Sequence, residues 1–261
     1  NARAMSTTPR TAAFFDLDGT LIPGSANIPL AKAAFAAGLV GKRELARDLR
    51  NGVSFLLKGA SDERSAQVRD RILRAVTGHP ASEVEALGHH FLADLVASIQ
   101  PRMQEVLDAH AAAGHDRVVL SASPTEIVSR LAREAGLEHG TGTTSERDGD
   151  GVYTGRLAGP FCYGEGKAGV LRQVAAERGY ALQRRYAYSD SVSDMPRLAT
   201  VGVPGAVNPD PELRQVAADR GWTVLETGAL PRLPLASPLD VLRLSGRAVR
   251  ALASSRVAVG P

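Results

Sequence analysis

Chemistry is most concentrated in the stretch Phe14-Phe15-Asp16-Leu17-Asp18-Gly19-Thr20-Leu21. Ala12 and Ala13 followed by two phenylalanines read as the end of a buried strand, and the chain then runs straight into acid. Burying two carboxylates is costly unless a cation or catalysis compensates. Asp16 and Asp18 alternate with Leu17, so an extended backbone places both on one face of the strand end. Gly19 follows at once and permits a turn, or a close backbone approach, that other residues resist. With an ordinary carboxyl pKa of about 3.9, Asp16 is ionised and nucleophilic at neutral pH without help. An isolated pair of this kind is usually an acidic turn. Further polar residues follow downstream: Ser121 after Val118-Val119-Leu120, Lys167 in Gly164-Glu165-Gly166-Lys167, and Asp190 and Asp194 behind Tyr186-Ala187-Tyr188. Each alone is ordinary, a strand-end cap, a solvated lysine or a helix start.

The elements that must position these residues follow from periodicity. A turn at Pro23-Gly24-Ser25 leads into a long helical region. Leu45, Leu49, Val53 and Leu56 fall near four-residue spacing, as do Val68, Ile72 and Val76. Val84, Leu87, Phe91, Leu95 and Ile99 repeat the pattern behind a capping box of Ser82 and Glu85. Nothing between Ile22 and Gln100 reads as a strand. Residues 24–100 are therefore predicted to be an all-helical cap inserted into an α/β core of residues 10–23 and 101–228.

Within that core, Pro101 opens a helix carrying Met103, Val106 and Leu107. Arg117 to Leu120 is a predicted strand, followed by a helix with Ile127, Val128 and Leu131 inward and Gly136 at its stop. Thr141 to Gly159 reads as a hairpin turning at Asp148-Gly149-Asp150-Gly151. A helix past Lys167 carries Val170, Leu171 and Val174 and stops near Gly179. Strands are predicted at Tyr186 to Tyr188, Val201 to Val207 and Trp222 to Leu225, with a helix opened by Asp210-Pro211 before the last. Strands alternating with helices define a Rossmann-like α/β fold with a parallel sheet. Its ligand site belongs at the carboxyl ends of the strands, where each polar residue singled out above falls.

Composition narrows the functional classes. The 261 residues suffice for one large domain or two modest ones, and 44% hydrophobic with 23% charged residues is ordinary for a globular protein. A net charge of +3 fits an anionic small-molecule substrate. No basic run is interleaved with aromatics, which argues against nucleic acid. Lysine occurs only as Lys32, Lys42, Lys58 and Lys167, and arginine supplies the remaining positive charge, so arginines carry little weight in this reading. Cys162 alone excludes an internal disulfide and fits a reducing compartment. No apolar run approaches the roughly 18 residues of a membrane span, and no secretory segment precedes the first strand, so a cytoplasmic location is expected. Residues 229–261 read as a linker, Pro231 to Pro238, and an amphipathic helix from Leu239 to Val257. That helix sets Arg243, Arg247 and Arg250 against Leu242, Leu244, Val249 and Leu252. Docking on the core is its expected role, with contact to a membrane surface as the lesser one.

The D-x-D-G-T of Asp16 to Thr20, then Ser121, Lys167 and the D-x-x-x-D of Asp190 and Asp194, in this order, resemble the haloacid dehalogenase superfamily. The closest likeness is to its subfamily IB, the phosphoserine phosphatase (SerB)-like branch, over Ala12 to about Leu225. The resemblance implies a helical C1-type cap on the core. It implies that Asp16 attacks phosphorus and carries an aspartyl phosphate, while Asp18 protonates the leaving alcohol and then activates water. Thr20, Ser121, the Ala122 amide and Lys167 are implied to hold the phosphoryl group. An oxygen-only Mg²⁺ site is implied at Asp16, the Asp18 carbonyl, Asp190 and Asp194, with Asp194 either a ligand or acting from behind one. Asp18 separates the chain from dehalogenases, which expel halide without a proton. Two departures stand out. No acid follows the first motif in Pro23-Gly24-Ser25-Ala26-Asn27, where phosphoserine phosphatases hold the substrate's amine, and Ser193 replaces a usual asparagine.

The expected function is therefore a Mg²⁺-dependent, phosphoserine phosphatase-like phosphomonoesterase that hydrolyses a small phosphorylated metabolite through an aspartyl phosphate, the missing acid weighing against L-phosphoserine itself as the substrate. Alternatives are a phosphotransferase or mutase of the same superfamily, and a membrane-associated lysophospholipid phosphatase or binding protein using the basic tail helix. No nucleic-acid partner is expected, and a homodimer is admitted. Arg43, Arg47, Lys58 and Arg64 of the cap are substrate-contact candidates that read first as surface residues.

Overall fold

The structure, a computed structural model, describes residues 10–38, 66, 69–70, 73–181 and 185–228. The periodic run Leu45 to Leu56, with Val68, Ile72, the basic cap candidates Arg43 to Arg64 and the tail helix, lies outside the described residues.

Six parallel strands form the sheet in the order β3-β2-β1-β6-β7-β8. They are β1 (Ala12–Asp16), β2 (Asp116–Pro124), β3 (His139–Thr143), β6 (Tyr186–Ser189), β7 (Val203–Val207) and β8 (Thr223–Leu225). β4 (Ser145–Arg147) and β5 (Tyr153–Leu157) make a separate antiparallel hairpin. Growth from β1 runs outward through β2 and β3, and the chain then returns to the other side of β1 for β6, β7 and β8. β1 and β6 thus flank the point where strand order reverses, the crevice in which open α/β sheets bind ligands.

Both faces of β1 are covered, which is why it reads as an unbroken apolar run. Phe15 faces a cluster with Val119, Phe91, Leu92 and Leu95, with Met103 and Leu107, and with Ile127, Val128 and Leu131. Phe14 faces Val118, Leu120, Val170, Leu171, Val174, Leu198, Leu213 and Ala217. Both phenylalanines are fully enclosed, and burial of each contributes about 1.5–3 kcal/mol. The first cluster is built on α3 (Leu92–Ala97), α4 (Pro101–Ala112) and α5 (Thr125–Glu134), the second on α6 (Gly164–Arg178), α7 (Met195–Leu198) and α8 (Pro211–Arg220).

Residues 24–100 are helical wherever regular structure is described, apart from an isolated bridge at Pro80 to Val152: α1 (Asn27–Ala36), α2 (Ala81–Leu87), a 3₁₀ turn at Gly88–His90, and α3. Leu87, Phe91, Leu92 and Leu95 belong to the same cluster as the sheet. Arg130 of α5 reinforces that contact, donating to the Glu85 carbonyl at 3.5 Å and to His89 at 2.9 Å.

Several sequence expectations need correction. The single helical period from Val84 to Ile99 is broken at Gly88–Phe91, where a Cβ on Gly88 would lie 2.8 Å from Leu92 Cδ1. Ser82 does not cap a helix; Pro80 is the N-cap and no side chain bonds there. The predicted hairpin from Thr141 is shorter, because His139–Thr143 joins the parallel sheet as β3. Gly140 and Gly142 hide this strand from hydrophobic patterning, yet their lack of Cβ is what lets it close on β2 and α5. A Cβ at 142 would sit 2.1 Å from the Ser123 carbonyl, and one at 140 would sit 2.5 Å from that of Val128. Finally, α6 begins at Gly164, so Lys167 lies inside its first turn rather than ahead of it.

Within the fold, His110 of α4 is buried against Tyr188, with Nε2 2.9 Å from the phenolic oxygen and Nδ1 2.9 Å from His115 Nδ1. Burial, with His115 and Arg117 nearby, lowers its pKa from 6.5 to about 4. Protonation therefore favours the unfolded chain: the contribution of neutral His110 is complete above pH 6.5 and is lost as pH falls toward about 4. Urea unfolding of wild type across this window should lose up to about 1.4 kcal/mol per pH unit relative to His110→Gln; parallel curves would show that His110 does not titrate there.

Candidate active site

The site starts where β1 ends. Leu17 donates its amide to Asp16 Oδ1 at 2.8 Å, fixing the carboxylate at the strand terminus. Gly19 takes a φ of 76°, a left-handed value that suits glycine, and its amide closes a loop onto the Gly24 carbonyl at 2.9 Å. The loop carries Asp18 and Thr20 back over the strand end. Thr20 is fully buried, donates from Oγ1 to Asp190 Oδ1 at 3.5 Å, and has its carbonyl held by Gln100 Nε2 at 2.6 Å.

Lys167 joins the site from α6. Its ammonium is enclosed and bridges Asp16 Oδ1 at 2.7 Å and Asp194 Oδ2 at 2.9 Å. Burial alone would lower the lysine's pKa, but the Asp16 and Asp194 carboxylates outweigh it and hold the pKa above its ordinary value. Gly166 makes this approach sterically feasible, since a Cβ there would lie 1.9 Å from the Phe161 carbonyl oxygen. The glycines around Lys167 thus serve close packing as well as turning.

Asp194 closes a 3₁₀ turn (Val192–Asp194) after β6. Its Oδ2 also accepts from Ser189 Oγ and from Arg197 Nη2, both at 2.7 Å. Burial works against the charge, but Arg197 and Lys167 hold this carboxyl well below the usual range. Asp16 shifts the other way: burial raises its pKa, although Lys167 opposes it. Arg197 is fully enclosed, and a further Nη2 bond at 3.0 Å ties it to the Tyr188 carbonyl. Its Nε and Nη1 have no hydrogen-bond partner among the described residues.

Asp18 points elsewhere. Its carboxylate accepts Ser25 Oγ at 2.8 Å and the Ala26 amide at 2.9 Å, where the chain turns into α1. Burial is the main cause raising its pKa to about 6, with the Ala26 amide only partly opposing. Ser121 is buried on β2, and the pairing of Asp16 with Leu120 sets it one residue beyond the nucleophile candidate on the neighbouring strand. Its Oγ accepts the Ser123 amide at 3.2 Å, and no hydrogen bond among the described residues joins it to Asp16. The Ala122 carbonyl accepts from Thr143 Oγ1 at 2.8 Å.

The donor chemistry fits a divalent cation. Lys167 bridges Asp16 and Asp194, Thr20 donates to Asp190, and Asp16 lies close enough to Asp18 to help raise its pKa, so carboxylate oxygens line the strand ends. No three His, Cys, Asp or Glu side chains among the described residues gather tightly enough to cage an ion by themselves. Mg²⁺ does not need such a cage, since it takes one or two carboxylates and completes its shell with water and phosphate oxygens.

Sequence reasoning missed Arg197, Ser189 and Ser25. Arg197 stands three residues after Asp194, a spacing that pairs acid and base on a helical turn, but the arginine-rich composition masks that signal. Ser25 lies in a segment notable only for lacking an acid.

Comparison with known proteins identifies the chain by class. Residues 13–199 match the model of the haloacid dehalogenase-like hydrolases, and the chain belongs to that family. It is 38% identical over 253 residues to a Mycobacterium tuberculosis H37Rv protein named Probable phosphatase Rv3661, covering 95% of this chain and 88% of the relative. Phosphoserine phosphatase SerB1 of the same organism is 35% identical over 250 residues, covering 94% and 80%. A Histidinol-phosphatase of Neisseria meningitidis serogroup C is 32% identical over 230 residues, covering 83% and 98%.

Arg197→Met should cost about 3–5 kcal/mol in urea unfolding, because it leaves Asp194 buried with one cation fewer. A loss below about 1 kcal/mol would mean the pair is well solvated.

Proposed function

We propose that the chain is a magnesium-dependent phosphomonoesterase that hydrolyses a small phosphorylated metabolite through an aspartyl phosphate on Asp16. The chain is a phosphoric monoester hydrolase of its family, as its phosphatase relatives indicate. The observation carrying the finer reading is the enclosed Lys167 bridge between Asp16 and Asp194 at the carboxyl ends of β1 and β6. An ammonium there neutralises Asp16 enough for a phosphoryl group to approach, and it offers a donor to the phosphoryl oxygens.

Asp16, Asp190 and the Asp18 carbonyl are the residues that would hold Mg²⁺. Asp194 acts from behind them, because its Oδ2 already takes Lys167, Ser189 and Arg197. The ion, when bound, supplies charge neutralisation at the phosphoryl oxygens. In the first step an Asp16 oxygen forms a bond to phosphorus as the ester P–O bond breaks, and Asp18 gives its proton to the departing alkoxide. In the second, water attacks the aspartyl phosphate and Asp18 takes its proton, releasing phosphate and restoring Asp16. A carboxyl with a pKa near 6 suits both duties, being protonated in part and ionised in part near neutrality. Thr20, Ser121 and the Ala122 amide complete the phosphoryl cradle, and the helical segment of residues 24–100 serves as the cap over it.

The substrate reading rests on Pro23 to Asn27. The segment presents Ser25 to Asp18 and Asn27 to Ser123, with no acid to hold an amine. The relatives' names point to two different phosphorylated metabolites, so a panel is the right probe.

Phosphate release from phosphoserine, histidinol phosphate, sugar phosphates, glycerol phosphates and lysophosphatidic acid should depend on Mg²⁺ and vanish with EDTA. It should fall to background in Asp16→Asn, and by about 10²–10⁴-fold in Asp18→Asn. Equal rates in wild type and Asp16→Asn would overturn the nucleophile. Phosphate diverted into a new ester when an acceptor alcohol is added would shift the reading to a phosphotransferase.

A further inference from the structure

Asp190 lies on the loop between the end of β6 and the 3₁₀ turn at Val192, and a ligand on a loop needs something to fix it. What fixes it comes from a different part of the chain. The amide of Asp210 donates to the Asp190 carbonyl at 2.8 Å. The Asp210 carboxylate then accepts the Val192 amide on Oδ2 at 2.9 Å, while Oδ1 accepts the Leu213 amide at 2.8 Å. One residue therefore grips the loop on both sides of Ser191 and caps α8 at the same time.

The two oxygens do different things. Capping a helix needs one acceptor aimed at the third helical residue, which serine supplies about as well as aspartate. The second oxygen is surplus to the cap and is used entirely on the loop. Its base is rigid: Pro211 occupies the first position of α8, Leu213 is fully buried, and β7 is paired to β6 through Ala206 and Ser189 immediately before the connection.

We infer that Asp210 is a positioning residue for the cation site, holding Asp190 in place by clamping the loop at the Asp190 carbonyl and the Val192 amide. The inference rests on the Mg²⁺ reading above. Groups that orient metal ligands without touching the metal typically tune affinity by 10–100-fold.

Asp210→Ser separates the two roles, since serine keeps a capping oxygen but lacks the second acceptor. Val192→Pro tests the same bond from the other side. It deletes the donated N–H at the first position of the 3₁₀ turn, where proline is favoured, and Ser191 already has φ −127° and ψ 142°, as a residue before proline requires. Mn²⁺ binding, followed by electron paramagnetic resonance without substrate, is the primary readout. Thermal midpoint and the Mg²⁺ concentration for half-maximal phosphate release accompany it.

Both variants should bind Mn²⁺ about 10-fold or more weakly than wild type, with Asp210→Ser melting close to wild type. Raising Mg²⁺ should restore kcat, which a general loosening of the fold would not allow. If wild type binds Mn²⁺ and both folded variants bind it equally well, the clamp has no positioning role. If wild type binds no Mn²⁺, the magnesium reading itself fails and the inference falls with it.

Discussion

The structure depends on how buried charge is balanced at the carboxyl ends of β1 and β6. Lys167 and Arg197 share Asp194, and of the two it is Lys167 that contacts Asp16. Breaking a buried ion pair typically costs several kcal/mol, because the survivor remains desolvated. The group is thus stable only as a whole. Arg197 takes part of Asp194's demand, so the ammonium of Lys167 is not spent on that carboxylate. Its remaining charge faces Asp16, the nucleophile of the proposed reaction.

Geometry comes from the sheet rather than from any one loop. Parallel pairing of β1 with β2 and β6 sets Leu120 level with Asp16 and Tyr188 level with Phe15. Residues distant in sequence then emerge on one rim because all six strands run the same way. The enclosing apolar clusters keep that rim fixed: Phe14 and Phe15 lock β1 from opposite faces, and the polar residues only cap what the core has already placed. Where the rim turns into loop, individual hydrogen bonds take over, from Gln100 to the Thr20 carbonyl and from Asp210 to the Asp190 loop.

Much of this was legible in the sequence. An apolar run ending in Asp16 and a short strand ending at Ser189-Asp190 can only be sheet termini, and Asp210-Pro211 caps its helix as the pairing of residue types requires. β3 was illegible because His139-Gly140-Thr141-Gly142-Thr143 has no apolar side chain; it forms through close backbone approach, which hydrophobic patterns do not register. Arg197 escaped notice for a different reason. In a chain where arginine is the common cation, nothing local distinguishes an enclosed guanidinium from a solvated one. The orientation of Asp18 toward Ser25 and Ala26 is likewise tertiary, set by where α1 begins.

Gly166 sets the evolutionary interests of stability and activity against each other. Glycine inside a helix is about 1 kcal/mol poorer than alanine, so a search for thermostable variants would be drawn to this position. Alanine there meets the Phe161 carbonyl, so either the Phe161 backbone or the first turn of α6 would have to shift. That turn carries Lys167, whose ammonium contacts both Asp16 and Asp194. A gain in helix propensity at this position therefore comes at the expense of the packing that seats the lysine.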